Sequence, residues 1–323
     1  MHLRARPQAV NCGEKKELRC VVKTVLGYLA IGLIKLLGKV SLSRAQNLGA
    51  RIGKLLLARR TRSREVARVN LELVYPQKTA QQREQLLRDT LIENGKTMAE
   101  TGPMWGYQPQ QTVGLIRQVH GEALYDELMQ YDGGKILLAP HLGNWEIINN
   151  YVAKRQHDIT IMYRPAKMPS FNNWMVSRRE AIGCKLVPTT RAGVMGLFKT
   201  LKDGQLVGFL PDQEPRRPSG VFADFMGHPT LTPKLPHEML KKTGAKAIYA
   251  FARRLPDAAG FDLYFLPADD ELYSDDAEVS AASMNRGIAQ CIEICPEQYQ
   301  WTYKRFKRQP EGMPNPYKAA KVP

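Results

Sequence analysis

KILLAPHLGNWEIINNYVAKRQHDITIMYRP, residues 135–165, runs from one apolar segment through a Gly-Asn-Trp turn and a stretch of helical spacing into a second apolar segment. Lys135 to Pro140 reads as a short buried strand, Asn144 as a helix N-cap, Trp145 to Arg155 as a helix, and Asp158 to Tyr163 as the next strand. Strand, crossover helix and strand form the repeating unit of a parallel sheet.

The alternation continues downstream. Residues 170–183 (SFNNWMVSRREAIG) suit a helix, 184–188 (CKLVP) a strand, 193–204 (GVMGLFKTLKDG) a helix and 206–213 (LVGFLPDQ) a strand. KAIYAFARR (246–254) and FDLYFLPA (261–268) resemble two late strands around a turn, and VSAASMNRGIAQCIEIC (279–295) a closing helix. Upstream, residues 64–101 read as helix, a break at Pro76, and helix. These patterns predict an α/β fold: a mostly parallel mixed sheet flanked by helices, preceded by an N-terminal membrane-anchoring helical region. Three parts are expected: a basic anchor over residues 1–60, an α/β domain over 61–310 and a tail over 311–323.

With 323 residues, 43% hydrophobic and 24% charged, the chain can bury a full core and is neither disordered nor fibrous. Its net charge of +16 is concentrated at one end: residues 1–70 hold sixteen Lys and Arg against three Glu. Beside these cations lies TVLGYLAIGLI (24–34), too short by itself to span a hydrocarbon core. Val21 to Val40 reaches spanning length if Lys23, Lys35 and Lys39 snorkel to the interface. The segment 43–60, SRAQNLGARIGKLLLARR, suits an amphipathic helix on an anionic leaflet, and a core helix is the alternative. A net charge of this size also fits a nucleic-acid-binding protein, but the cations cluster beside apolar helices and no nucleic-acid motif accompanies them. No GxGxxG or P-loop supports nucleotide binding.

Five cysteines (Cys12, Cys20, Cys184, Cys291, Cys295) form no disulfide framework, which fits a reducing compartment. Cys291 and Cys295 lack a second ligand pair and the histidines lack an HExxH spacing, so neither a metal nor a cofactor is expected.

His141 and Glu146 stand five positions apart. In a continuous helix they diverge by roughly 140°, and fully extended they lie about 16 Å apart. A strand-to-helix junction allows them to meet, with Glu146 accepting from one imidazole nitrogen so that the other faces a substrate as general base. The spacing alone also fits a turn histidine and a glutamate that complements the helix dipole. Parallel strands gather the residues that follow them at one edge: His141 after KILLAP, Arg164 after ITIMY, Asp212 and Gln213 after LVGFL. Arg164 has the planar fork that grips an oxyanion, or is a surface arginine. Asp212 orders the site or caps the next turn.

Four ordered blocks, HLGNWE, IMYR, LPDQ and FADFMGHPTLTP, together with RVNLELVYPQ before them, resemble the lysophospholipid acyltransferase superfamily, and within it the late (secondary) acyltransferases of lipid A biosynthesis, of lauroyl or myristoyl transferase type. The likeness spans roughly residues 20 to 306. It implies an inner-membrane enzyme, on the cytoplasmic face, that moves a fatty acyl chain from acyl carrier protein to a hydroxyl of an acylated lipid A precursor. The family's histidine and acid map onto His141 and Glu146, its second-block arginine onto Arg164 and its third-block acid onto Asp212. With Asn144 and Gln213 these make the candidate site: His141 and Glu146 catalytic, the other four substrate-binding. The third block reads PDQEP and departs from the EGTR of glycerophosphate acyltransferases. Acylation of lysophosphatidate or another lysophospholipid is the alternative. The expected partners are acyl carrier protein, the lipid A precursor and membrane lipids, met through the basic helices and the KRFKR tail (304–308).

Overall fold

Both faces of a parallel sheet are covered by its own crossovers, so its strands are buried on both faces and run nearly continuously apolar. Lys135–Leu138 (β2) and Leu206–Phe209 (β5) show this directly, being buried throughout. The computed structural model describes residues 12–320 and 322; residues 1–11 and the side chains of residues 12–20, Cys12 and Cys20 among them, lie outside the described residues.

Four helices precede the sheet: α1 (Cys12–Leu37), α2 (Leu42–Ala58), α3 (Arg62–Val74) and α4 (Ala80–Gly106), followed by the short α5 (Pro109–Val113). Then come β1 (Ile116–His120), α6 (Glu122–Gln130), β2, α7 (Glu146–Lys154), β3 (Ile159–Tyr163), α8 (Pro169–Glu180), β4 (Cys184–Pro188), α9 (Arg191–Lys202) and β5. The remainder is β6 (Gly220–Phe225), β7 (His228–Pro233), α10 (Leu235–Thr243), β8 (Lys246–Arg254), β9 (Phe261–Pro267), α11 (Ala277–Ile294) and α12 (Pro316–Ala319). Seven strands form one sheet in the order β1-β9-β8-β2-β5-β3-β4. The run from β8 to β4 is parallel, β9 returns antiparallel to β8, and β1 pairs parallel to β9.

The expected mostly parallel mixed sheet is therefore present, with two additions. IRQVH, which became β1, has only exposed and half-buried positions at the sheet's edge and carries no apolar run to announce a strand. FADFMGHPTLTP folds within a separate antiparallel hairpin, β6–β7.

Side chains of alternating sign along each strand build two cores. Ile136, Leu138, Val207 and Phe209 face α3, α4, α9 and α11, whereas Leu137, Leu206, Ile248 and Ala250 face α6, α7 and α8. Leu87, Leu91, Ile288 and Trp301 close the first core, and Tyr125, Ile147, Tyr151 and Met175 the second.

The N-terminal helices pack on this body through glycine. Gly49 and Gly53 of α2 lie against Leu91, Ile92, Gly95 and Lys96 of α4 so closely that a Cβ on either glycine would fall within 2.6 Å of the α4 backbone. Among the described residues no helix is long and apolar enough to cross a membrane, so the spanning route considered for Val21 to Val40 is not supported. α1 instead lies along the protein, with Ile31 buried and Val25, Leu26, Leu29, Leu33 and Leu36 turned outward. The tail contributes to the core through Tyr317, whose hydroxyl accepts from the Phe306 N–H at 3.0 Å.

Candidate active site

β2, β5, β3 and β4 are neighbours in the sheet and point the same way, so the segments leaving their carboxyl ends share one edge. The loop after β2 is shaped by Gly143, whose φ of +59° is left-handed and whose α-carbon faces the Ala252 carbonyl; a Cβ there would sit 1.9 Å from that oxygen. The backbone N–H of Gly143 donates to Gln298 O at 3.1 Å and that of Asn144 to Ala252 O at 3.0 Å. Gln300 N donates to His141 O at 3.0 Å. A loop pinned on three sides holds its histidine in one place.

His141 Nδ1 lies 2.7 Å from Asp212 Oδ1, and its backbone N–H donates to Asp212 Oδ2 at 2.8 Å. This corrects the expectation that Glu146 orients the ring. Because β5 is the direct neighbour of β2, the residue after β5 reaches the imidazole, whereas Glu146, past the left-handed turn at Gly143, meets α8 instead. There, buried at the start of α7, Glu146 forms an ion pair with Arg179 of α8 and accepts from Trp105 Nε1 at 3.1 Å.

Burial by itself would raise both carboxyl groups. For Asp212 the charge and hydrogen bonds of His141 outweigh burial and hold the group below its ordinary value. For Glu146 the same result comes from the charge and hydrogen bonds of Arg179, with help from Trp105. Behind Asp212 stands Tyr299, its hydroxyl kept protonated first by burial and then by the adjacent Asp212 carboxylate.

His141 opens onto a cavity of about 860 Å³. Its inner wall is apolar, formed by Leu137, Ala139, Ile148, Ile159, Ile161 and Met175, with the Glu146–Arg179 pair set into it. Its outer part carries Arg164, Gln213, Arg216 and Arg308. Arg164 and Arg216 are exposed at this mouth, while Arg308 is occupied by Glu214 and the Pro215 carbonyl. Gln213 approaches His141 Nε2 at 3.3 Å. Of the six expected residues, His141, Asp212 and Gln213 are thus in mutual contact, and Arg164 and Glu146 line the same cavity. Asn144 is placed elsewhere: buried, outside the cavity lining, it donates to Glu100 Oε2 at 2.9 Å, and Trp145 takes the N-cap position of α7.

Sequence reading missed Arg179, Trp105, Glu100, Arg254 and the 298–300 segment. Arg254 is buried between Glu100 and Glu93, the latter at 2.7 Å, so the charge closing the apolar run of β8 was the available signal. Nothing in the local pattern of Gln298, Tyr299 and Gln300 distinguishes them from a surface turn.

The fold and site define an α/β protein with a carboxylate-gripped histidine beside a cavity that has an apolar wall. Residues 11–308 match the family described as Bacterial lipid A biosynthesis acyltransferase, and the chain belongs to that family. It is 29% identical over 293 residues to the lipid A biosynthesis lauroyltransferase of Escherichia coli (strain K12), covering 90% of this chain and 94% of that one. To the lipid A biosynthesis palmitoleoyltransferase of the same organism it is 29% identical over 266 residues, covering 82% and 85%. A phosphatidylinositol mannoside acyltransferase of Mycobacterium tuberculosis (strain ATCC 25618 / H37Rv) is 27% identical over 185 residues, covering 56% and 57%. The resemblance read from the four sequence blocks to the late lipid A acyltransferases is thereby established.

Proposed function

We propose that the protein transfers a fatty acyl chain from an acyl carrier protein thioester to a hydroxyl of an acylated lipid A precursor, with His141 as general base and Asp212 as the group that orients it. The observation carrying this reading is the His141–Asp212 contact at the cavity mouth. Asp212 accepts from Nδ1–H, which leaves the Nε2 lone pair toward the cavity. An acceptor hydroxyl there gives its proton to Nε2 as its oxygen attacks the thioester carbonyl. Asp212 then stabilises the imidazolium. The carbon–sulfur bond breaks, and the departing thiolate takes the proton from Nε2. No enzyme-bound acyl group is required.

The apolar inner wall suits the acyl chain, and the exposed guanidinium groups of Arg164 and Arg216 suit phosphates of the acceptor or of the carrier's prosthetic arm. Glu146 is assigned to this wall: by fixing Arg179 and Trp105 it shapes the chain's berth. The outward apolar face of α1, with exposed Lys23 and Lys35, suits attachment in the plane of the inner membrane on its cytoplasmic side.

Mass spectrometry of the acylated lipid A precursor after incubation with acyl carrier protein thioester and purified protein tests the reading. The product is expected to gain the mass of one acyl chain, and to be absent with His141→Ala. An unchanged precursor beside acylated lysophosphatidate or phosphatidylinositol mannoside in parallel reactions would reassign the acceptor; no product with any acceptor would overturn the transfer itself.

A further inference from the structure

Gln213 stands between two acceptors. Its amide nitrogen lies 3.3 Å from His141 Nε2 and 3.2 Å from Gln300 Oε1. An amide nitrogen only donates, so its partner on the ring has to be a lone pair. Asp212 on the other ring nitrogen requires Nδ1–H. Both ends therefore select the same neutral tautomer. Gln300 is itself tied to the ring's residue, because its backbone N–H donates to His141 O at 3.0 Å.

This arrangement has to change during the proposed reaction, on which the inference rests. Once Nε2 holds the acceptor's proton, its N–H points at the N–H of Gln213. Turning the Gln213 amide relieves that conflict by presenting Oε1 to the ring. The turned Oε1 then faces Gln300 Oε1, unless Gln300 turns as well and donates. We propose that Gln213 and Gln300 form a two-amide latch that holds the Nδ1–H tautomer of His141 in the resting enzyme, gives up the Nε2 lone pair to the arriving acceptor hydroxyl, and turns over in concert as Nε2 takes up that hydroxyl's proton. Gln213 contacts the reacting nitrogen; Gln300 is a positioning residue that acts through it. The proton moves only between the acceptor hydroxyl, Nε2 and the leaving thiolate, and the amides exchange hydrogen-bond roles without gaining or losing one.

The charged and titratable groups around the ring come from every neighbouring segment. Asp212 follows β5, with Tyr299 and Arg305 behind it. Glu214 is engaged by Arg308 and by Tyr303. Arg164, Arg216 and the Glu146–Arg179 pair line the cavity. A glutamine-to-methionine change leaves all of these charges in place, so a changed ring resonance reports the amides.

The experiment is nitrogen-15 NMR of the His141 ring in the full-length, detergent-solubilised protein, with kcat and KM measured in parallel. Wild type is expected to show the Nδ1–H tautomer with Nε2 accepting a hydrogen bond. Gln213→Met and Gln300→Met should each move the Nε2 resonance toward that of a free lone pair and lower kcat several-fold at unchanged KM, since the amides serve the base and not substrate binding. The double variant should change no further than either single one, since the two amides act as a unit. A Gln300→Met resonance and kcat equal to wild type, or additive changes in the double variant, would overturn the latch. The NMR measurement needs no substrate: absent acyl transfer with the resonance change intact condemns the proposed reaction, whereas intact transfer without it condemns the latch alone.

Discussion

Asp212 grips His141 twice, Oδ1 taking the ring Nδ1–H at 2.7 Å and Oδ2 the backbone N–H of the same residue at 2.8 Å. A carboxylate that holds both the ring and its peptide fixes rotamer and tautomer together. Asparagine cannot accept at both positions without presenting N–H to N–H. Asp212→Asn is therefore expected to lower kcat by about a hundred- to ten-thousand-fold while the protein remains folded by circular dichroism. Turnover at the wild-type rate would remove Asp212 from the orienting role.

Glu146 answers to a different partner, and its variants should first register as stability. Glu146→Gln leaves the Arg179 guanidinium, whose side chain is only 18% exposed, without its counter-charge, which costs up to about 3–5 kcal/mol in buried pairs. Replacing both, Glu146→Leu with Arg179→Met, should recover most of that loss in denaturant melts. If Glu146→Gln alone melts like wild type, the pair is not a structural one.

The same pair sets a pH dependence. Glu146 and Asp212 are both lowered in the folded protein, net of burial, by Arg179 and by His141 respectively. Each contributes stability that is present above the ordinary carboxylate value of about 4 and is lost as pH falls through the folded value. Thermal melts between pH 7 and 3 should show a steep acid loss in wild type and a shallower one in the Glu146→Leu, Arg179→Met variant. Parallel curves would contradict the assignment.

On α1, Leu29 is 64% and Leu33 57% exposed. Leu29→Glu with Leu33→Glu places two charges on that outward apolar face without disturbing buried Ile31. Sedimentation with anionic phospholipid vesicles should fall several-fold while the melting temperature holds. Unchanged sedimentation would locate the membrane contact on another surface.

At the α2–α4 crossing the space is backbone against backbone. A Cβ at Gly53 would lie 2.3 Å from Leu91 O and 2.6 Å from Ile92 Cα, neither of which belongs to a flexible side chain. Gly53→Ala should destabilise by about 1–3 kcal/mol. Gly32→Ala on α1, where a Cβ meets nothing within 4 Å, should be neutral or stabilising through helix propensity. Equal melting of the two variants would deny the close crossing.

The strand and helix alternation from Lys135 onward was legible because fully buried parallel strands advertise themselves as apolar runs, and the crossovers between them as helical spacing. The same reading put His141, Arg164, Asp212 and Gln213 at one edge, since parallel strands deliver their exits to the same side. β1 was illegible because an edge strand, bonded on one side and half exposed, needs no apolar run. The partner of His141 was illegible for a geometric reason. Glu146 is five residues away along the chain and Asp212 seventy-one, but sheet order makes β2 and β5 adjacent, and Glu146, past the left-handed turn at Gly143, meets α8. Residue types and their periodicity carry the chemistry available at a strand end. Which of two acids meets the histidine depends on strand order and on the course of one loop, and those exist only once the chain has folded.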